Sequence, residues 1–216
     1  MDIVALYGGS FDPPHIGHVE VVRRVLEMEK VTRIIVIPSR KPPHKTPVAS
    51  YRRRLFMINS VMSDVFRGEP VTVSNIEASI RETTYTVEIL RSIPYFRNSR
   101  YALVLGTDEV RSIMSWKCPE EVLDKAGPII INRPGMDDFD KNEFLSSNIM
   151  TGASSLAIED APVIDVDEAF WVSSSDVRGM IASGNGRWKT LVPRLVAQYV
   201  EKNGLYGYKK KEAGHG

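Results

Sequence analysis

The sequence predicts an α/β protein built on a doubly wound parallel sheet. Short apolar runs stop at glycine or proline, as strands buried on both faces do, and segments of helical periodicity separate them. The 216 residues, 43% hydrophobic and 25% charged, suit one folded α/β domain.

Residues 3–7 form the first apolar run and end at Gly8 and Gly9. Over 17–30, Val19, Val22 and Leu26 recur at helical spacing. Residues 33–38 read as a second buried strand, so the segment from 3 to 37 is strand, glycine turn, helix, strand, a right-handed crossover. Helices are then expected at about 50–63, 85–93, 175–183 and 191–203, and strands at about 71–75, 101–105, 128–132 and, more weakly, 163–166. No repeat or Pro/Gly/Ser linker divides the chain. Residues 1–206 are expected to be a single domain and 207–216, with Lys209, Lys210 and Lys211, a disordered, solvated tail.

Composition excludes several functions. The 28 basic against 27 acidic residues leave a formal charge of +1, which argues against nucleic acid as a partner of the whole chain. A single cysteine, Cys118, rules out an internal disulfide framework and a Cys-cluster metal site, and fits a reducing compartment such as the cytoplasm. No apolar run is long enough to span a membrane, and the N-terminal segment lacks the basic start and apolar stretch of a signal peptide. Oligomeric state stays open, a homo-oligomer included. Charge is uneven, however. Residues 33–54 carry Arg33, Arg40, Lys41, Lys45, Arg52, Arg53 and Arg54 without an acid. The arginine triplet suits either a phosphorylated ligand or a solvated helix face.

The segment GGSFDPPHIGH, residues 8–18, falls where the first strand gives way to the first helix. Paired glycines remove two β-carbons, so the backbone turns sharply and an anion can approach its amides. A helix beginning near Gly17 aims free N–H groups and its positive dipole end at the same space. His15 and His18, three apart, project to one side and can donate to phosphate oxygens. Asp12 before Pro13 is a turn former. Late in the chain, the serines of SSSDVR, residues 173–178, cap a helix, and Arg178 is expected in its first turn, where the dipole disfavours a cation unless an anion is bound nearby. Two other phosphate signatures are absent. There is no GxGxxG, and the stretch from Gly184 to Thr190 has Trp188 where a P-loop needs glycine, so it reads as a helix cap and loop.

GGSFDPPHIGH resembles the first signature of the nucleotidylyltransferase superfamily, GGxFDPxHxGH, and SSSDVR resembles its second. The tetrad HIGH is also shared by class I aminoacyl-tRNA synthetases, but no KMSKS-like stretch follows. Within the superfamily the chain is similar to the bacterial nicotinate-nucleotide adenylyltransferase family over nearly all of residues 1–206. The similarity rests on Pro42, Pro43, His44 and Lys45 after strand two, the Thr84-Tyr85-Thr86 segment, Gly106-Thr107-Asp108 with Trp116 beyond it, Arg133-Pro134-Gly135, and the ending Gly204-Leu205-Tyr206.

The resemblance implies a Rossmann-like nucleotidylyltransferase fold and transfer of AMP from ATP to nicotinate mononucleotide, giving deamido-NAD and pyrophosphate. It implies catalytic roles for His15, His18 and Arg178. ATP would contact Gly8, Gly9, Ser10, Phe11, His15, His18, Gly106, Asp108, Ser173, Ser174, Ser175 and Arg178. The nicotinate nucleotide would contact His44, Lys45, Tyr85, Thr86, Trp116 and Arg133. Mg²⁺ is expected to travel with ATP, because no protein cage for it is evident. Each residue also has a plainer reading: Asp108 as a helix cap, Trp116 as an ordinary buried ring, Lys45 as a mobile loop lysine. A different acceptor, such as phosphopantetheine or an alcohol phosphate, and an ATP-binding sensor without turnover are the competing readings.

Overall fold

The structure, a computed structural model, describes residues 2–43, 45–79, 84–94, 98–132, 139–148 and 152–209. Among them the strands are β1 (Asp2–Gly9), β2 (Val31–Pro38), β3 (Val71–Val73), β4 (Ser99–Gly106), β5 (Ala126–Asn132) and β6 (Val163–Asp165). All pair in parallel, in the order β3-β2-β1-β4-β5-β6. The order reverses between β1 and β4. In an open α/β sheet the crevice beyond the carboxyl ends of such a strand pair is where ligands bind.

The helices are α1 (Ile16–Leu26), α2 (Tyr51–Val65), α3 (Thr86–Ser92), α4 (Thr107–Arg111), α5 (Pro119–Lys125), α6 (Lys141–Ser147), α7 (Ala153–Glu159), α8 (Ser174–Ala182) and α9 (Arg194–Asn203). The two-residue period of β1 splits them into layers. Ile3 and Ala5 face a core completed by α1, α2, α8 and α9, whereas Val4 and Leu6 face one completed by α3 to α7. Both faces of the sheet are therefore covered, and the strands read as continuous apolar runs for that reason.

Several boundaries differ from the periodicity. The first helix stops at Leu26 rather than running to 30 because the chain must return to the sheet. Val31 N–H closes a turn onto the Met28 carbonyl, and the Lys30 carbonyl accepts from Ile3 N–H. The last helix starts after Pro193, which has no N–H to continue a ladder backwards. The short helices α4 to α7 occupy stretches where no helix is predicted from sequence. Packing also continues past residue 206: the Tyr208 hydroxyl donates to Glu201 Oε1 at 3.0 Å, so the expected tail is folded at least that far. Residues 210–216 lie outside the described residues.

Candidate active site

The carboxyl end of β1 delivers Gly8 and Gly9 to the crevice. A Cβ built at Gly8 would meet nothing within 4 Å, so that position opens onto free space. At Gly9 a Cβ would come 3.0 Å from the ring of Phe11, which folds back over the turn. Phe11 is buried with φ at 49°, a left-handed conformation that costs an L-residue roughly 1–2 kcal/mol. Its ring holds the edge of His18 at 4.9 Å and of Tyr7 at 5.5 Å between centroids, so packing fixes the strained turn.

His15 caps α1, and its ring stacks on that of His18 with centroids 3.6 Å apart. The His15 backbone N–H donates to His18 Nδ1 at 3.1 Å. Accepting at Nδ1 leaves the proton on Nε2 and makes that atom the donor of the ring. The amides of the first turn are less open than the sequence suggests. Ile16 N–H is bonded to the Leu191 carbonyl and His18 N–H to that of His15. Gly17 is demanded by packing: a Cβ there would lie 2.7 Å from the Phe170 carbonyl oxygen.

Asp12 does far more than form a turn. Its carboxylate, 3% exposed, accepts from Val48 N–H (2.6 Å), Ala49 N–H (3.0 Å) and the Tyr206 hydroxyl (2.8 Å). It thereby ties the glycine turn to the loop before α2 and to the end of the α9 layer. Arg54 clamps the same segments from beneath. Its guanidinium donates to the carbonyls of Ser10 (2.5 Å), Ala49 (3.1 Å) and Arg40 (3.4 Å). At 1% exposure Arg54 is not part of a solvated helix face, its guanidinium being spent on these three carbonyls; Arg52 and Arg53 are exposed. Burial lowers the Arg54 pKa, with Asp12 opposing that shift. Beside this network Glu77 is also buried; its pKa is raised by desolvation, against the N–H of Arg40, which donates to its carboxylate at 2.7 Å.

The second motif docks on the first. Ser173 is the N-cap of α8, its Oγ accepting from Asp176 N–H at 3.0 Å while Asp176 reaches back to the Ser173 N–H. Because α8 starts at Ser174, Arg178 lies in the second turn rather than the first, and the expected conflict with the dipole is relieved. Ser174 Oγ donates to the Pro13 carbonyl at 3.0 Å. Arg178 donates to the Asp12 carbonyl at 2.7 Å and to Ser175 Oγ at 3.1 Å. The glycine turn, the histidine pair and Arg178 thus share one corner of the crevice.

Across the switch point, β4 ends at Gly106, whose N–H donates to Glu109 Oε2 at 2.9 Å, and Asp108 is exposed on the first turn of α4. Further out, Tyr85 and Thr86 open α3, and Trp116 packs half-buried against the second core layer. Lys117, absent from the expected set, joins these two pieces. Its Nζ lies 4.6 Å from the Tyr85 ring centroid and 2.6 Å from Glu88 Oε1. Lys45 is exposed on the loop between β2 and α2. His44 and Arg133 lie outside the described residues. Among the described residues no three His, Cys, Asp or Glu side chains group so as to hold a metal ion. Among them, too, no helix is long and apolar enough to cross a membrane.

A probable nicotinate-nucleotide adenylyltransferase of Thermus thermophilus is 29% identical over 208 residues, which cover 94% of this chain and 98% of the relative. One of the same name from Pseudomonas entomophila is 29% identical over 210 residues, 94% of each chain. The solved structure of Plasmodium falciparum nicotinic acid mononucleotide adenylyltransferase complexed with NaAD has the same fold, with a TM-score of 0.79 at 21% identity over 98% of this chain and 100% of that one. These relatives bear out the resemblance carried by the two motifs. The Cytidylyltransferase-like family pattern matches residues 6–180, from the end of β1 to α8, and the chain belongs to that family.

Proposed function

We propose that this enzyme transfers the AMP moiety of ATP to the 5′-phosphate of nicotinate mononucleotide, forming deamido-NAD and pyrophosphate in NAD biosynthesis. The observation that carries the reading is the docking of Arg178 onto the Asp12 carbonyl, in the same turn that bears the stacked His15 and His18. Cationic and N–H donors from opposite ends of the chain converge where a triphosphate would lie beside the open Gly8.

The chemistry needs no general base. A phosphate monoester has its second pKa near ~6, so the attacking oxygen is already largely dianionic at neutral pH. That oxygen attacks the α-phosphorus of ATP in line, and the bond from the α-phosphorus to the bridging oxygen breaks as pyrophosphate leaves with the electron pair. What must be overcome is repulsion between two anions and the charge growing on the leaving group. In this reading His18 Nε2 and the Arg178 guanidinium stabilise that charge, with His15, the glycine turn and the serines of α8 binding the triphosphate. Gly106 and Asp108, at the end of the neighbouring strand, would face the adenosine. Tyr85, Thr86 and Trp116 would take the pyridine ring and its carboxylate, with Lys45, His44 and Arg133 toward the acceptor phosphate. Mg²⁺ enters as part of the substrate, Mg·ATP. The proposed compartment is the cytoplasm, where a lone exposed thiol such as Cys118 stays reduced.

The test is pyrophosphate release from Mg·ATP with nicotinate mononucleotide, nicotinamide mononucleotide or phosphopantetheine as acceptor. Release is expected to be fastest with the nicotinate nucleotide. Faster release with phosphopantetheine would change the acceptor, and ATP binding without release would make the chain a nucleotide sensor. In the active protein, His18→Ala is expected to lower kcat about 10²–10³-fold, the loss seen for one donor of an oxyanion-type site.

A further inference from the structure

The Tyr206 side chain is buried in the α9 layer with its hydroxyl 2.8 Å from Asp12 Oδ1, and its backbone sits in the left-handed region at φ 57°. Asp12 is the residue whose carbonyl holds Arg178, but its carboxylate is a rival partner for that same guanidinium. Arg178 Nη1 stands 2.7 Å from the Asp12 carbonyl oxygen and 4.0 Å from Asp12 Oδ2, the outer edge of an ion pair. A carboxylate at 3% exposure with unfilled lone pairs draws a nearby cation strongly, because little water competes. Here three donors share the charge: Oδ1 accepts from Ala49 N–H and Tyr206, and Oδ2, the oxygen nearer Arg178, from Val48 N–H.

We propose that Tyr206 is a positioning residue for Arg178, acting through Asp12: by donating to Oδ1 it takes up part of the carboxylate's charge, which weakens the pull on the guanidinium at Oδ2 and leaves it turned to the nucleotide. The inference rests on the assignment of Arg178 to the triphosphate made above. Loss of the hydroxyl leaves the buried carboxylate with two donors in place of three. Arg178 then answers the deficit by moving toward Asp12, at the expense of the transition state.

Tyr206→Phe keeps the ring and its packing, so the variant tests the hydroxyl alone. The measurement is steady-state pyrophosphate release for wild type, Tyr206→Phe, Arg178→Ala and the double variant, with thermal unfolding alongside. Tyr206→Phe is expected to remain folded and to lose about tenfold in kcat, the scale of one hydrogen bond to a charged group, with KM for nicotinate mononucleotide nearly unchanged. In the Arg178→Ala background the same change is expected to have less than about a twofold effect, because contacting residues couple. A purely structural tyrosine would multiply its loss onto that of Arg178→Ala, and this outcome overturns the inference, as does an unchanged kcat in a folded Tyr206→Phe. If wild type itself releases no pyrophosphate, or Arg178→Ala keeps full activity, it is the reading of the site that fails.

Discussion

The two halves of the crevice are built by opposite means. Beyond the end of β1, beside the long helices α1, α2 and α9, lies a buried polar network in which Asp12 and Arg54 bond the backbone of the glycine turn and the loop before α2. Across the switch point, the short helix α3 is joined to α5 and to the segment before it by exposed ion pairs, Arg91 with Glu121 and Lys117 with Glu88. Burial makes the first arrangement costly to break, since a stranded buried charge has nowhere to go. Water screens the second, which can yield without penalty. A chemical step common to many acceptors needs fixed donors, whereas choice of acceptor is more easily altered on a surface that is cheap to rearrange.

Substitutions sharpen this contrast. Arg54→Met, the largest expected effect, strands three carbonyls and removes a cation that interacts with the buried Asp12 charge, and should lower the free energy of unfolding in urea by about 3–5 kcal/mol. Trp116→Leu keeps an apolar contact with the second core but removes the flat ring. It is expected to raise KM for nicotinate mononucleotide about five- to a hundredfold, the worth of stacking one base on an aromatic, with KM for ATP little changed; an equal rise in both would erase the division between the halves. A smaller effect is expected at alkaline pH. Burial, and then Asp12, raise the Tyr206 pKa, so the folded chain keeps a proton that an unfolded tyrosine releases near ~10. Stability contributed by this group is intact below that pH and is lost above it, by about 1.36 kcal/mol per pH unit. Urea midpoints of wild type should therefore fall more steeply than those of Tyr206→Phe as pH rises past ~10. The smallest change is Glu88→Gln, which breaks an exposed pair and should leave the thermal midpoint where it is; a clear drop would show that the side of α3 is as rigid as the other.

Legibility in the sequence follows the same divide. The glycine turn, the histidine spacing and the serine cap are local patterns, and each stands where its neighbours in sequence imply, whereas Arg178 falls one turn later than expected. The helices α4 to α7 escaped because five to seven residues give too few turns to display a period. Arg54 escaped for another reason: a run of arginines reads as solvated, and only the fold reveals that three carbonyls converge on the third of them. Nothing next to Asp12 announces that its partners lie at 48, 49 and 206. Lys117 carried no signal at all, because its role depends on α3 and the segment after α4 coming side by side.

The Asp12–Tyr206 bond joins residues 194 apart, and this separation has a consequence for the chain as it is made. At ribosomal speeds of roughly 5–20 residues per second, the first turn waits on the order of 10–40 s for its last donor. A nascent or prematurely released polypeptide holds the opening strand and histidines yet lacks the donor that completes the Asp12 network. The turn is thus finished late, as a by-product of elongation having reached the final helix layer.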